Sequence, residues 1–381
     1  MGLILEFEGK ELFKKYNLPL SKSIVVKSAE EAKKASTTLG LPVAVKAQVL
    51  SGGRGKRGLI KVAKTQEEVI SHSIDILSME SDGRTVTHLL IEEGADIAKE
   101  IFISMVNDPM TLETLILFSM EGGVDIETLA HEKPDAIDKI RIKFDEDYHP
   151  FKFYPILANR GLTGKNKLKI ADIMSILVRM MRDEDLTLAE INPLIITKSD
   201  EVIALDARIM IDDNASYRHP ERKEYLSEEM RYSDSEKDAK ENGLAYVDLG
   251  GSIGMLSVGA GLGMATADLI EYFGGSPRNF LDVGGGASPA KVEHALRIMI
   301  KDKGLKSILI NAFGGITRLD DVASGIVAAR DKFGIQIPLI IRLIGTNQKE
   351  GLEIIKNAGL QAFEDMEPAI KAAVNAAKGV L

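Results

Sequence analysis

Four polar side chains interrupt the apolar stretch LAEINPLIITKSDEVIALDARI, residues 188–209. Two strand-like runs flank the polar turn KSD, which predicts a β-hairpin. With a three-residue turn, paired positions sum to 398, so Asn192 lies opposite Asp206. Glu190 and Arg208 are then opposed on the same face, whereas a two-residue turn shifts the pairing by one position. A carboxylate and a carboxamide oxygen are typical Mg²⁺ ligands beside a polyphosphate, so the pattern predicts either a metal site or a cross-strand polar network.

A glycine-rich basic loop follows a strand-like run in PVAVKAQVLSGGRGKRG, residues 42–58. Lys46 stands near the end of the strand, and Gly53, Arg54 and Gly55 form the loop. Glycines let backbone N–H groups approach an oxyanion closely, and the cations add positive charge. The loop lacks the Walker pattern. We therefore predict a polyphosphate site of another kind, with an exposed basic turn as the alternative.

The stretch LLIEEGADIAKE, residues 89–100, is an apolar strand that ends at Glu92 and Glu93. A strand-to-loop hinge of this type can offer backbone groups to an adenine ring and a carboxylate to ribose hydroxyls. Carboxylates on the surface after a strand are equally common. This stretch alone therefore leaves both interpretations open.

Three glycine-rich turns lie in the second half of the chain. FLDVGGGAS and NAFGGITRLDD each place glycines between a strand and a helix, where N–H groups can bind a carboxylate or phosphate. SVGAGLGMA, residues 257–265, resembles the dinucleotide pattern G-x-G-x-x-G only loosely. It is the origin of one alternative from another class, an NAD-dependent oxidoreductase.

The elements that must position these residues fall into two groups. From about Leu244 to the end, strand-like runs alternate with helical patterns, which predicts a parallel, doubly wound α/β sheet. The first half mixes helices with hairpins and predicts an α+β region. A polar segment, residues 212–243, connects the two. We predict domains at 1–240 and 241–381.

Composition limits the classes of function. The 381 residues carry a net charge of −9, which argues against a nucleic-acid or anionic-membrane surface. The chain has no cysteine, so a metal must take O or N ligands, and the six histidines form no metal or triad spacing. The uncharged run 249–267 contains six glycines and fits a strand-turn-helix better than a membrane span. These features predict a soluble, cytoplasmic protein.

Taken in order, the motifs KELFKKYNLP, VKAQVLSGGRGK, IEEGADIAKE, EGGVDIE, LAEINPL, ALDARI, IGMLSVGAGLGM, NFLDVGGGA and NAFGGITR resemble the β subunits of succinyl-CoA synthetase, the ADP-forming succinate–CoA ligases. The resemblance covers nearly the whole chain. It implies an N-terminal ATP-grasp domain followed by a flavodoxin-like CoA-ligase domain. It also implies an α subunit that carries the CoA site and a phosphohistidine, in an αβ heterodimer or an α2β2 heterotetramer.

The resemblance further implies roles for individual residues. ATP or ADP would be bound by the following residues: Lys46, Gly53, Arg54, Gly55, Glu92, Ala95 and Glu100. Mg²⁺ would be bound by Asn192 and Asp206, and Glu190 would meet the phosphohistidine loop. The implied reaction is a relay in the tricarboxylic acid cycle. ATP phosphorylates the histidine, the phosphoryl group moves to succinate, and CoA displaces it.

One position departs from the family pattern. The family's substrate-binding asparagine falls at Val258, whose side chain cannot hydrogen-bond a carboxylate, while the other substrate segment matches Gly315, Ile316 and Thr317. Malate–CoA ligase and citryl-CoA synthetase subunits share this architecture and remain alternatives, as does a regulatory nucleotide-binding module without catalysis. ATP and GTP are not separated, although the apolar Leu20 mildly favours adenine.

Overall fold

The computed structural model describes residues 2–81, 83–146 and 148–380. The chain forms two compact units, Met1–Arg231 and Tyr232–Leu381. The division between the two units lies inside the polar connecting segment. From the sequence, the domain boundary is predicted in the same segment, between residues 240 and 241. The helix at 234–241 therefore belongs to the second unit.

Two main sheets organise the first unit. A seven-stranded antiparallel sheet has the order β1-β13-β11-β8-β9-β10, with β12 also paired to β11, and a four-stranded sheet has the order β2-β7-β3-β4. A short β5-β6 ladder completes the pairing described for this unit. Its strands are β1 Gly2–Leu3, β2 Ser23–Val26, β3 Val43–Ala47, β4 Ile60–Ala63, β5 Glu80–Ser81, β6 Arg84–Thr85, β7 Leu89–Glu93, β8 Ile97–Asp108, β9 Glu113–Ser119, β10 Asp138–Lys143, β11 Leu186–Thr197, β12 Val202–Ala204 and β13 Arg208–Ile211.

Each main sheet buries one face beneath helices. The longest helix presents an apolar stripe that includes Met174, Leu177 and Met181, and this stripe joins the core of the large sheet. A separate core lies between the small sheet and two helices whose first turns are capped by Ser28 and Thr65. The helices are α1 Glu6–Lys15, α2 Ala29–Leu39, α3 Gln66–Leu77, α4 Ile126–Glu132, α5 Tyr154–Asn159, α6 Gly164–Asp183 and α7 Leu226–Arg231, with 3₁₀ turns at Pro134–Ala136, Pro150–Phe153, Asp213–Arg218 and Pro220–Glu224.

The predicted hairpin is present, and of the two turn lengths considered, the structure has the three-residue turn. Ile195 pairs with Ile203, and Glu190 pairs with Arg208, so both pairs sum to 398. The turn is closed by the Thr197 N–H, which donates to the Glu201 carbonyl oxygen at 2.8 Å. β11 also pairs along its other edge with β8. The register of this central strand is therefore fixed on both sides.

The second unit is a six-stranded sheet in the order β14-β16-β15-β17-β18-β19. The five strands from β15 onward pair in parallel in the order 2-1-3-4-5, which is the flavodoxin-like arrangement. This confirms the predicted fold of the second half. The elements are α8 Asp234–Glu241, β14 Ala245–Asp248, β15 Ile253–Ser257, α9 Ala260–Tyr272, β16 Asn279–Asp282, α10 Pro289–Met299, β17 Ser307–Gly314, α11 Leu319–Phe333, β18 Leu339–Gly345, α12 Gln348–Asn357, β19 Ala362–Phe363 and α13 Met366–Ala377.

One strand of this sheet departs from the predicted parallel pattern. β14 lies at the edge and pairs antiparallel with β16. The link from β14 leads to β15, on the far side of β16, and is only a few residues long. Such a link is too short for the crossover that would let β14 run parallel to the other strands. Within the described residues, no helix combines the length and apolar character needed to cross a membrane.

Candidate functional site

The glycine-rich loop and the hairpin face each other across a cavity of about 510 Å³ in the first unit. The cavity is lined by the loop that follows β3, by polar residues of the hairpin and by the start of α4. Its lining includes Gly53, Arg54, Gly55, Glu190, Asn192, Asp206 and Arg208. The structure therefore brings together the two sequence motifs predicted to bind phosphate and metal.

Beside the cavity lies a cluster of buried charges that holds the strand lysine. Lys46 Nζ is 3.0 Å from Glu6 Oε1, donates to the Leu205 carbonyl oxygen at 2.7 Å, and contacts Glu92. Lys10 Nζ lies 2.9 Å from the same Glu6 oxygen and also contacts Glu92. None of these four charged side chains is more than 9% exposed. Two ammonium groups thus share two carboxylates, which offsets much of the cost of burial.

Arg54 connects this cluster to the hairpin. One guanidinium nitrogen donates to Glu6 Oε2 at 2.6 Å and the other to Asp206 Oδ1 at 2.7 Å. The loop reaches this position through Gly53, whose φ of +67° lies in the left-handed region that favours glycine. The guanidinium of Arg54 therefore bridges two carboxylates, and its bond to Asp206 holds the loop against the hairpin.

The charges in the cluster hold one another in their ionised forms. Burial raises the pKa of Glu6, but Arg54, Lys10 and Lys46 together lower it well below its ordinary value. Burial lowers the pKa of Lys46, but Glu6, Glu92 and Asp206 raise it above its usual range. Three cations thus meet three carboxylates, which is close to neutral overall. A polyphosphate that binds Lys46 and Arg54 must exchange with these carboxylates.

The two predicted metal ligands lie on the same hairpin and line the same cavity. Asn192 is held by the second glycine of a turn: its Oδ1 accepts from the Gly123 N–H at 2.8 Å, and its Nδ2 donates to the Val124 carbonyl oxygen at 3.1 Å. Asp206 Oδ1 accepts from the Ala207 N–H at 2.9 Å as well as from Arg54. A carboxylate and a fixed carboxamide suit Mg²⁺.

These residues form only part of a metal site. Among the described residues, no group of three or more His, Asp or Glu side chains converges to hold an ion. Mg²⁺ takes few ligands from a protein and keeps water or phosphate oxygens for the rest. The donor set therefore fits a magnesium ion that arrives with a polyphosphate.

Glu190 is nearly buried at the edge of the cavity. Its side chain is 11% exposed, and its carboxylate is 4.0 Å from the guanidinium of Arg208. Burial raises the pKa of Glu190, and the nearby charge of Asp206 adds to this, while Arg208 and a hydrogen bond from Ser104 oppose it. A desolvated carboxylate of this kind is well suited to pair with an imidazolium.

The remaining predicted nucleotide residues do not line the cavity. Lys46 and Glu92 face the ion cluster instead. Ala95 lies in the link between β7 and β8, and Glu100 lies on β8 with its carbonyl oxygen accepting from Gly122. The structure thus places the predicted adenine hinge beside the cluster and outside the cavity described above.

Two residues of the cluster were not identified from the sequence. Neither Glu6 nor Lys10 belongs to a sequence motif predicted to bind a ligand. The sequence does contain a pattern that indicates them: Glu6 and Lys10 are opposite charges at i and i+4 on a helix that also buries Leu12 and Phe13. Charges on the buried face of a helix require partners elsewhere in the fold.

The predicted substrate residues lie at the carboxyl ends of β15 and β17 in the second unit. These neighbouring strands are where the strand order reverses, the usual ligand position in such a sheet. Val258 is buried in the apolar core. Ile316 is 88% exposed, whereas Thr317 is buried and its Oγ1 accepts from the Gly286 N–H at 2.9 Å.

Comparisons with known proteins agree with this two-part architecture. A model of the ATP-grasp domain matches residues 3–196, and a CoA-ligase model matches residues 256–376. The β subunit of ADP-forming succinate–CoA ligase from Ralstonia nicotianae is 43% identical over 99% of both chains. Its counterpart from Ignicoccus hospitalis is 40% identical over 98% of this chain and 99% of the relative. The solved ATP citrate lyase of Methanothrix soehngenii, in complex with citrate and coenzyme A, covers 98% of this chain and 99% of that chain, with a TM-score of 0.77 at 19% identity, and supports the fold alone.

Proposed function

The chain belongs to the family of ADP-forming succinate–CoA ligase β subunits, and on that premise we propose that it forms succinyl-CoA together with an α subunit. It is one subunit of an acid–CoA ligase, an enzyme that forms a carbon–sulfur bond. The observation that carries the proposal is the cavity in which the loop at Arg54 faces Glu190, Asn192 and Asp206. These are the groups needed to bind a nucleoside triphosphate and pass on its terminal phosphoryl group.

The nucleotide half of the proposal rests on the loop and the cluster. Backbone N–H groups around Gly53 and the guanidinium of Arg54 would bind the phosphates of ATP, with Lys46 released from its carboxylates as a further cation. Asn192 and Asp206 would hold Mg²⁺. When bound, that ion neutralises charge on the phosphate oxygens.

Glu190 would receive the histidine loop of the α subunit. A buried carboxylate beside an imidazole orients the ring and favours the protonated, cationic form of the histidine. The histidine takes the phosphoryl group from ATP and delivers it to the acid, from which CoA displaces it. The carboxylate of Glu190 need not enter any covalent bond in this sequence.

Succinate is the proposed acid, and the second unit would bind it at the ends of β15 and β17. The side chain of Val258 is apolar and buried in the core, so it cannot make the hydrogen bond that the family's asparagine makes to the substrate. Backbone N–H groups near Gly315 and Ile316, or the neighbouring Ser257, would have to make this bond instead. Malate and citrate remain to be tested as alternatives. The αβ or α2β2 stoichiometry and the cytoplasmic location also stay predictions.

A phosphoryl transfer and chase experiment tests the proposal. The chain, co-expressed with its α partner, is incubated with γ-labelled Mg-ATP, and the label on histidine is chased with CoA plus succinate, malate or citrate. We expect rapid loss of label with succinate. Loss only with another acid would change the substrate and keep the mechanism.

A matched pair of variants provides the control. Glu190→Gln should abolish histidine labelling while the complex still assembles and binds Mg-ADP, and Glu201→Gln, next to the hairpin turn, should leave labelling intact. Absence of labelling in a correctly assembled wild-type complex would overturn the proposal. Binding of NAD without Mg-ADP would support the oxidoreductase alternative instead.

A further inference from the structure

Arg208 is the fourth polar residue of the hairpin and has no role in the function proposed above. It lies directly opposite Glu190 in the ladder between β11 and β13. It lines the cavity, and its side chain is 47% exposed. A Cβ on Gly52 would lie 3.9 Å from its guanidinium. Arg208 therefore occupies the space between the glycine-rich loop and the proposed histidine-binding carboxylate.

Two largely buried cations at or beside the cavity, Arg54 and Lys46, already have close partners. Arg54 is 11% exposed and makes two ion pairs shorter than 3 Å, and Lys46 is held by Glu6, Glu92 and a carbonyl oxygen. The guanidinium of Arg208, by contrast, makes one ion pair within the described part of the chain, to Glu190 at the 4.0 Å limit of contact. A guanidinium has five N–H donors. Arg208 thus offers a cation to the cavity with its donors still available for a ligand.

Arg208 lies on a strand with a fixed backbone, whereas Lys56, the remaining basic residue that lines the cavity, lies in a loop. Lys56 belongs to the exposed loop, is 73% exposed, and lies 3.7 Å from Asp125. Arg208 begins β13, whose pairing with β11 fixes its backbone. A group that must meet a transferring phosphoryl in one position is best carried by such a strand.

We propose that Arg208 binds the terminal phosphoryl group of the nucleotide and stabilises it during transfer to histidine. This inference rests on the proposed function. In the step, the bond between Pγ and the bridging oxygen breaks, and ADP keeps that electron pair. An imidazole nitrogen supplies the pair for the new P–N bond. Charge spreads over the phosphoryl oxygens, and without Arg208 those oxygens would face the carboxylates of Glu190 and Asp206.

The test compares two nucleotides that differ in the terminal phosphoryl group. The αβ complex is titrated calorimetrically with Mg-ADP and with the non-transferable analogue Mg-adenosine 5′-(β,γ-imido)triphosphate. We expect Arg208→Gln to weaken the triphosphate analogue roughly 10- to 100-fold, the range for hydrogen bonds to charged groups. Affinity for Mg-ADP should change less than about twofold, and Arg208→Lys should recover part of the loss.

Arg141→Gln is the matched control. Arg141 has the same 47% side-chain exposure and lies on β10 outside the cavity, so its loss changes net charge equally and should leave both affinities unchanged. Equal weakening of both nucleotides by Arg208→Gln, or no weakening, would overturn the proposal.

A second comparison separates direct binding from an effect through Glu190. If Arg208 contacts the phosphoryl group, Arg208→Gln also weakens the triphosphate analogue selectively in a Glu190→Gln background. If the selective loss disappears there, Arg208 only positions Glu190 and the inference is wrong. The binding contrast is independent of histidine labelling, so a wild-type complex that binds the analogue without labelling would contradict the proposed function alone.

Discussion

Replacing Glu6 by glutamine should destabilise the first unit, because one carboxylate is lost from among three buried cations. Its oxygens lie 2.9 Å from Lys10, 3.0 Å from Lys46 and 2.6 Å from Arg54. Removing one partner of a buried ion pair costs about 3–5 kcal/mol. Both lysines keep Glu92, so we expect the lower end, about 3 kcal/mol. For a unit of this size that corresponds to a decrease in Tm of roughly 6 to 12 °C.

Differential scanning calorimetry is the suitable assay, because the chain has no tryptophan and two compact units can unfold separately. Glu11→Gln is the control on the same helix: Glu11 is 70% exposed and 3.8 Å from Lys14, so it should cost less than about 0.5 kcal/mol. A shift for Glu6→Gln no larger than this control would refute the reasoning.

The pH dependence of the same variant gives an independent check. Because the folded pKa of Glu6 is lowered, its carboxylate stabilises the fold above the ordinary pKa of glutamate. This contribution is lost as the pH falls through the lowered folded pKa. The difference in Tm between wild type and Glu6→Gln should therefore narrow below about pH 4.5.

Three further substitutions separate function from stability. Burial raises the pKa of Glu190, so the ionised carboxylate destabilises the fold as the pH rises. The Tm of Glu190→Gln should therefore match or exceed the wild-type Tm at pH 7 and should no longer exceed it at pH 4. The same variant should still abolish histidine labelling. Asp206→Asn should weaken Mg-ADP binding at least roughly tenfold by calorimetry, whereas Asp200→Asn in the exposed turn should not. Val258→Asn buries an amide in an apolar core and should cost about 1–3 kcal/mol; a lower KM for succinate at unchanged Tm would show that position 258 faces the substrate.

Local patterns predicted the hairpin and the parallel sheet because their determinants are close in sequence. Alternation and a polar turn suffice for the hairpin, although the choice between two registers needed the structure, and alternating strands and helices suffice for a parallel sheet. The 2-1-3-4-5 strand order came from the family resemblance, since periodicity carries no information on which strands are neighbours.

The ion cluster and the support of Asn192 could not be predicted in the same way. Glu6 meets Lys46 from 40 residues away, and Lys10 meets Glu92 from 82 residues away. Gly123 holds Asn192 from a separation of 69 residues. Such contacts depend on how strands from different parts of the chain are packed, so only the completed fold reveals which charges are buried together.

The three-residue turn of the hairpin makes its length a constraint on insertions and deletions. Exposed hairpin tips usually tolerate added residues, and the β8–β9 tip, where Met110 is 90% exposed, should do so. One extra residue between Thr197 and Glu201 would instead pair Glu190 with a neighbour of Arg208 and turn Asp206 away from the cavity. Single-residue insertions should therefore be made in both tips and scored by Mg-ADP binding. We expect binding to be lost only for insertions between Thr197 and Glu201.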